Sequence, residues 1–451
     1  MDIRTYSIEQ TLEALFDEKK LSALKDVLTT LNPYDIANIF DEIHKEKLPM
    51  FFRLLPKELA AETFVEMGEE AQEYLIHAFS DRELKEVVDE LYVDDAVDII
   101  EEMPANVVKR ILRQADPEIR KSINEILKYP EDSAGSIMTV EYVSLRPKMT
   151  VEEAIKRIRR TGVDKETIYT CYVTNNQNML VGMITAKTLL LANEDDIISD
   201  IMETNVISVN TLDDQEDVAL TFSKYNLLAL PVVDRESRLV GIVTIDDAMD
   251  VMEDEATEDI EKMAAITPSD KPYLRTSVME LFKARIPWLL LLMISATFTG
   301  LIISSFEKAL ASQLALNTFI PMLMDTGGNS GSQASVTIVR GLSLGEIEFK
   351  NIFKVLWKEI RVSVLCGITL ALASFVKILI VDKVSLSIAL VVCLTLACTV
   401  LFAKIVGCTL PMIAKKVGFD PAVMASPFIT TIVDALSLMV YFKFASSILG
   451  L

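Results

Sequence analysis

Residues 321–341 read PMLMDTGGNSGSQASVTIVRG. This stretch places Asp325, a Gly-Gly-Asn sequence and a run of small hydroxyl and amide side chains inside a segment otherwise apolar enough to enter a bilayer. A second lone carboxylate, Asp434, sits in 421–442, PAVMASPFITTIVDALSLMVYF. An ionised group in hydrocarbon is costly unless it faces water, a cavity or a counter-ion, so two such aspartates imply a pathway. A pathway lined by carboxylates is one for a cation crossing a membrane.

Five segments around these aspartates are near or above the roughly 20 residues that a spanning helix needs: 286–305, 309–339, 362–381, 384–403 and 421–442. The second, at 31 residues, is long enough to tilt or to break at its glycines. Positive charge fixes the orientation. Lys271, Arg275, Lys283 and Arg285 precede the first segment, Arg340, Lys350, Lys354, Lys358 and Arg361 join the second to the third, and Lys415 and Lys416 join the fourth to the fifth. The other connections offer only Lys308 and Lys383, so the amino terminus is expected in the cytosol and the carboxyl terminus outside.

From Lys271 onward the chain holds 16 lysines and arginines against 9 carboxylates, a net +7; the whole-chain value of −22 therefore leaves −29 for residues 1–270. Such an acidic half repels nucleic acid and concentrates cations. The opening MDIRTYSIEQ lacks a basic stretch followed by an apolar core, so no cleavable signal is expected and the acidic half stays in the cytosol. The five cysteines show no paired or metal-type spacing. No nucleophile–base pair, metal triad or phosphate loop is present, which argues against an enzyme.

The acidic half carries two kinds of repetition. Apolar anchors recur every 12 residues at Leu31, Ile43, Leu55, Met67, Phe79, Leu91, Met103 and Ala115. Twelve residues make a short helix and a turn, and such hairpins bury their apolar faces only by stacking into a superhelix. From Ser133 the pattern alternates strand and helix, twice. SIMTVEYVSLRPKMTVEEAIKRIRR at 136–160 is answered by DIMETNVISVNTLDDQEDVALTFSK at 200–224, and MLVGMITAKTLL at 179–190 by RLVGIVTIDDAM at 238–249. Residues 133–253 thus resemble a tandem pair of CBS motifs, an α/β regulatory module. That resemblance implies adenine-nucleotide binding, ATP included, although no phosphate-cradling glycine loop accompanies it.

Between this pair and the first apolar segment, Asp247, Asp250, Asp254 and Glu258 are separated by three or four residues and share one helical face. Like charges at this spacing destabilise a helix, so a neutralising partner is expected. Their position just before the membrane segments suggests a cation-sensing lever rather than a solvated linker.

The whole chain resembles the MgtE magnesium channels. The motifs are SAGSIMT at 133–139, LPVVDRESRLVGIVTIDD at 230–247, EATEDI at 255–260, PMLMDTGGNSGSQAS at 321–335 and ASPFITTIVDALS at 425–437. The resemblance implies an all-α superhelical N-terminal domain (1–130), an α/β tandem CBS domain (131–253), a connecting plug helix and linker (254–275) and a five-helix transmembrane domain (276–451). It implies a multi-pass protein of a bacterial-type inner membrane, a homodimer among lipids with no nucleic-acid partner, and a Mg²⁺ pore on the two-fold axis. Asp434 would be the filter carboxylate. Gly328 and Asn329 would break the second span and aim oxygens at the pathway, with Thr430 and Asp325 beside them. Alternatively the glycines serve close helix packing, Asp434 pairs with Lys377 or Lys404, Asp325 caps a helix, and Asp420 stands at a helix N-terminus.

Gating is likewise implied by the resemblance. Glu62, Asp94 and Asp98 of the N domain, Asp214 and Glu216 of the CBS module, and Asp247, Asp250, Glu255, Glu258 and Asp259 of the connecting helix would be bridged by cytosolic Mg²⁺, which closes the pore. Asn226 stands where the family often supplies another carboxylate. The rival readings keep the architecture and change the cargo to Co²⁺, Mn²⁺ or Ca²⁺, or couple transport to another ion.

Overall fold

The computed structural model describes every residue except 1, 2, 164, 270, 272, 275, 308–310, 312, 425 and 451, and the side chains of 3–7, 9 and 426 are likewise outside the description. The chain forms two compact units, Met1–Met252 and Glu253–Leu451.

The first unit opens with helices α1 (Ile3–Asp17), α2 (Leu21–Leu28), α3 (Pro33–Glu42), α4 (Leu48–Phe52), α5 (Lys57–Val65), α6 (Glu69–Ala78), α7 (Asp81–Val88), α8 (Val93–Glu102), α9 (Ala105–Gln114) and α10 (Pro117–Ile126). From α5 to α10 the helices begin at 57, 69, 81, 93, 105 and 117, so the twelve-residue spacing of the anchors is the spacing of the helices. The anchors lie at the turns. Ile43, Phe79, Met103 and Ala115 close α3, α6, α8 and α9, while Leu55, Met67 and Leu91 precede the caps of α5, α6 and α8. All seven are buried, because a side chain at a turn reaches both helices it joins. Helices pack on the one two places along (α3 on α5, α5 on α7, α7 on α9, α8 on α10), which is how short amphipathic helices complete a core by stacking.

The remainder of this unit is a duplicated α/β module. Its first copy contains β1 (Tyr142–Leu145), α11 (Val151–Thr161), β2 (Thr167–Thr174), β3 (Leu180–Thr185) and α12 (Ala186–Leu191). After α13 (Ile198–Ile201), the second contains β4 (Val209–Asn210), α14 (Gln215–Tyr225), β5 (Ala229–Val233), β6 (Leu239–Thr244) and α15 (Ile245–Met263). In each sheet the first two strands are parallel and the last two antiparallel. The copies exchange covers. Thr139 of the first bridges Ile242 of the second, and Glu203 bridges Met183 in return. A Cβ at Gly241 would meet Met138 Sδ at 2.6 Å, and one at Gly182 would meet Met202 Sδ at 2.6 Å, so each glycine admits the other copy's leading segment. That reciprocity makes the pair one body.

The second unit contains the end of α15 and five long helices: α16 (Val278–Ser305), α17 (Ala315–Ser343), α18 (Ile352–Lys377), α19 (Leu386–Val417) and α20 (Ser426–Leu449). Helical turns extend α18 on both sides, over Phe349–Asn351 and Ile378–Asp382. Among the described residues, four helices are long and apolar enough to cross a membrane: Val278–Ser305, Phe349–Asp382, Leu386–Val417 and Pro427–Leu449. The fifth long helix, α17, has 29 residues and includes the polar run around Asp325.

The expected break at Gly328 and Asn329 does not occur; α17 is one unbroken helix through Pro321 and all its glycines. Its glycines serve contact instead. A Cβ at Gly327 would lie 2.8 Å from Thr399 Cγ2 and from Val433 Cγ1, one at Gly331 would lie 2.6 Å from Ile429 Cγ2, and one at Gly407 would collide with the Gly331 carbonyl oxygen. Small residues let α17, α19 and α20 approach at backbone distance, the packing available where lipid supplies no hydrophobic drive. Gly407→Leu is therefore expected to cost at least about 2 kcal/mol of packing, within the ordinary range for overpacking, and to lower both folded yield and thermal midpoint in detergent. Gly300→Ala, where nothing lies within 4 Å of the new Cβ, is expected to leave both unchanged.

Candidate functional site

In the second unit the charged and amide side chains of α17 from Asp325 onward share one face. Asp325, Asn329, Gln333, Thr337 and Arg340 are exposed, following the four-residue row of a helix, whereas Leu323, Gly327, Gly328, Gly331, Ala334, Ser335 and Ile338 are buried. A face with a carboxylate, two amides and a guanidinium cannot lie against lipid tails. Asp434, half-buried on α20, lies within electrostatic reach of Asp325. Gly328 is buried 3.0 Å, by its built Cβ, from Thr430 Cγ2, so it brings α17 and α20 together and does not itself belong to the exposed row. Thr430 Oγ1 donates to the Pro427 carbonyl at 2.9 Å, which leaves its oxygen free to accept. Among the described residues, neither Lys377 nor Lys404 pairs with Asp434. Lys377 pairs with Asp382 at 2.9 Å, and Lys404, 7 % exposed, sits 3.8 Å from Glu359, 14 % exposed.

The end of α17 and the lead into α20 are tied to the last turns of α15. Ser343 Oγ, at the end of α17, donates to Asp259 Oδ2 at 3.0 Å. Lys262 bridges Glu258 and Asp420, the latter at 2.7 Å. Asp420 also accepts from the Ala422 amide at 2.7 Å, which shapes a turn ahead of α20 and not the N-terminus of that helix, since α20 begins only at Ser426. Burial raises the Asp259 carboxyl above its ordinary range, and the Ser343 hydrogen bond works against that.

A second group of carboxylates gathers within the first unit, where α8 meets the duplicated module. Asp94 is 6 % exposed, and burial followed by repulsion from Asp247, Asp95, Glu166 and Glu141 pushes it well above the usual carboxylate range. Burial, then Asp247, lifts Asp95 to about 7. Asp98 keeps contact with solvent, yet the density of protein around it, followed by Asp247, also lifts it to about 7. Burial and then Asp95, Asp246, Asp247 and Glu141 carry Glu166 to about 8. Asp247 reaches about 6 by burial, held back by its bonds from Thr244 Oγ1 at 2.6 Å and the Thr244 amide at 3.3 Å. Beside this group, burial and Asp250 raise Glu66. Two buried carboxylate oxygens, Asp94 Oδ1 and Glu166 Oε2, have no hydrogen-bond partner.

The structure thus gathers Asp94, Asp98 and Asp247, and places Asp250 beside Glu66. It also adds Asp95, Glu141, Glu166 and Asp246, which sequence reasoning missed. The Asp94–Asp95 and Asp246–Asp247 doublets were a usable signal for two of them; Glu141 and Glu166 had none, because they join through the fold of the first CBS copy. Other expected ligands stand elsewhere. Glu62 is exposed, and Asp214 caps α14 by accepting from the Glu216 amide at 2.9 Å. Asn226 closes α14 in the left-handed conformation (φ 52°, ψ 50°), which asparagine tolerates better than most residues. Glu255 and Glu258 lie beyond the first unit, on the α15 segment that belongs to the second.

The sequence profile of the divalent cation transporter family MgtE matches residues 320–444, that of the MgtE intracellular N domain 31–132, and that of the CBS domain 134–195 and 198–254. The magnesium transporter MgtE of Thermus thermophilus is 36 % identical over 97 % of this chain and 98 % of its own length. The chain belongs to the MgtE family. The Bacillus subtilis magnesium transporter MgtE is 32 % identical over 96 % of this chain and 95 % of its own. The crystal structure of the cytosolic domain of the Mg²⁺ channel MgtE in complex with ATP is similar with a TM-score of 0.52 and 36 % identity, covering 54 % of this chain and 99 % of that one. The soluble part of a magnesium transporter gives 0.52 and 30 %, covering 56 % and 99 %.

The carboxylate group fits a hard cation such as those MgtE transporters carry. Its partnerless buried oxygens and raised acids are short of positive charge. Among the described residues no three carboxylates, histidines or cysteines close into a cage.

Proposed function

We propose that this chain is a Mg²⁺ channel of the MgtE kind, which takes up magnesium and closes when cytosolic Mg²⁺ is plentiful. The observation that carries this is the exposed polar row of α17 beside Asp434, in a unit whose other long helices are apolar. In a homodimer whose pore lies on the two-fold axis, Asn329, Gln333 and Asp325 from each chain supply oxygens for a hydrated ion, and two copies of Asp434 match its charge. In this reading the chain conducts ions and is not an enzyme. It crosses a bacterial-type inner membrane five times with its amino terminus in the cytosol; the lysines and arginines of the 340–361 and 415–416 connections support that orientation.

The acidic half acts as the sensor. Asp94, Asp95, Asp98, Glu166 and Asp247 would hold hydrated Mg²⁺ at the seam of α8 and the CBS pair, with Asp250 beside them; Glu62, Asp214, Glu216, Glu255, Glu258 and Asp259, which stand away from the seam, would be separate contacts for the ion. The ion supplies the charge that cancels their repulsion. With repulsion cancelled, the seam closes on the first turns of α15, and the last turns of that helix, bonded to Ser343 and Asp420, bear on the inner ends of α17 and α20. ATP at the CBS pair belongs to the same reading, supported by the ATP-bound relative.

The test is Mg²⁺ current across patches while cytosolic Mg²⁺ is stepped from micromolar to millimolar. Conduction that shuts as the ion rises supports the reading; current indifferent to cytosolic Mg²⁺, or carried by Co²⁺, Mn²⁺ or Ca²⁺ in preference, rejects it. Asp259→Ala removes the acceptor for Ser343 and is expected to raise the closing concentration by about tenfold, the loss of one charge-assisted hydrogen bond, with open-state Mg²⁺ current unchanged.

A further inference from the structure

The connection after α17 and the last turns of α19 border a cavity of about 230 Å³ in the second unit. Its lining is mostly apolar, from Leu342, Ile347, Phe349 and Met412, with Lys415, Lys416 and Glu348 as the charged members. Lys415 Nζ donates to the Leu342 carbonyl at 2.8 Å, which fixes the ammonium at the rim with donors to spare. Lys416 Nζ stands 4.1 Å from the Phe349 ring centroid. Glu348 is already neutralised by Lys350, 2.6 Å away. The rim therefore presents positive charge.

The surroundings place this cavity at the boundary of lipid and water. Phe353 is 82 % exposed and Trp357 61 % exposed at the start of α18, with Arg361 stacked on the Trp357 ring and Lys354 and Lys358 close in sequence. Exposed aromatics interleaved with lysine and arginine mark the headgroup level of a bilayer. A basic pocket between helix ends at that level suits an anionic headgroup.

We propose that this cavity binds an anionic phospholipid, with the phosphate between Lys415 and Lys416 and the first methylenes of the acyl chains on Leu342, Ile347, Phe349 and Met412. The apolar floor favours a lipid over free phosphate, which has nothing to bury there. The site rests on the cytosolic placement of that connection and of the end of α19, and joins α17 to α19 from the inner leaflet.

The test is native mass spectrometry of the full-length protein released from micelles containing phosphatidylglycerol or phosphatidylcholine. The wild type is expected to retain phosphatidylglycerol selectively, and Lys415→Gln/Lys416→Gln to lower that retention by on the order of tenfold, as for two lysines near an anionic surface. Glu348→Lys, which adds a cation to the rim without touching the floor, is expected to raise it; this variant decides the matter if the double variant does not fold. Retention unchanged in both, or equal for the two lipids, overturns the proposal. Displacement of the lipid by inorganic phosphate alone reassigns the cavity to free anions and overturns it equally. Because retention is read without any ion flux, its failure is separable from failure of the transport reading.

Discussion

Asp434→Asn is expected to abolish selective Mg²⁺ current while leaving the protein folded. The substitution keeps the shape of the side chain, so the packing of α20 on α17 through Gly327, Gly331 and Val433 is untouched. What it removes is one negative charge per chain from the polar route. At roughly 5 Å and an effective dielectric near 20, a carboxylate attracts a divalent ion by several kcal/mol; even after the cost of partial dehydration, the loss amounts to on the order of a hundredfold in Mg²⁺ occupancy. Asp325→Asn is expected to cost less, because Asp325 is exposed on the row and Asp434 is half-buried. The measurement is Mg²⁺ current against Na⁺ current for the wild type and each variant. If Asp434→Asn conducts Mg²⁺ as before, or if Asp325→Asn is the more damaging, the filter has been placed on the wrong helix.

Much of this architecture could be read in the residues because it repeats. The twelve-residue anchors could be seen without a structure, since each turn must offer a side chain to two helices, and the helix starts from 57 to 117 keep the same count. The doubled VG strand was equally plain, and the exchange of Met138 and Met202 over Gly241 and Gly182 explains why both copies need glycine there. What could not be read was the role of a glycine inside an apolar segment. Gly328 and Asn329 suit a broken helix or a close contact equally well by sequence; the neighbours on α19 and α20 decide it, and those lie about 70 to 100 residues away in the chain. The carboxylate seam shows the same limit. Asp94 and Asp247 are acidic anywhere, but only the fold sets Glu166 beside them, and nothing local to Lys165–Glu166 announces it.

The seam also sets the strongest expected dependence on pH. Asp95 and Asp98 stand at about 7, Glu166 at about 8 and Asp247 at about 6, all above the value near 4 of a free carboxyl. Between pH 4 and pH 8 the folded seam therefore binds more protons than the unfolded chain, and stability falls as pH rises through this window. In chelator, hydrogen exchange of the α8 amides in the full-length protein, corrected for the rise of intrinsic amide exchange with pH, is expected to accelerate by at least about tenfold between pH 6 and pH 8, the effect of a single one-unit shift. Millimolar Mg²⁺ is expected to cancel that acceleration, because the ion binds the deprotonated carboxylates that repulsion would otherwise drive apart, and its affinity rises over the same window. Asp94→Asn/Glu166→Gln removes two of the charges and two of the partnerless oxygens. It is expected to flatten the pH dependence and to weaken the response to Mg²⁺ together. Exchange in α8 that, after the same correction, is indifferent to pH in chelator would show that the carboxylates do not repel across the seam. A pH dependence that Mg²⁺ leaves unchanged would show that they do, but that the ion is not what relieves them.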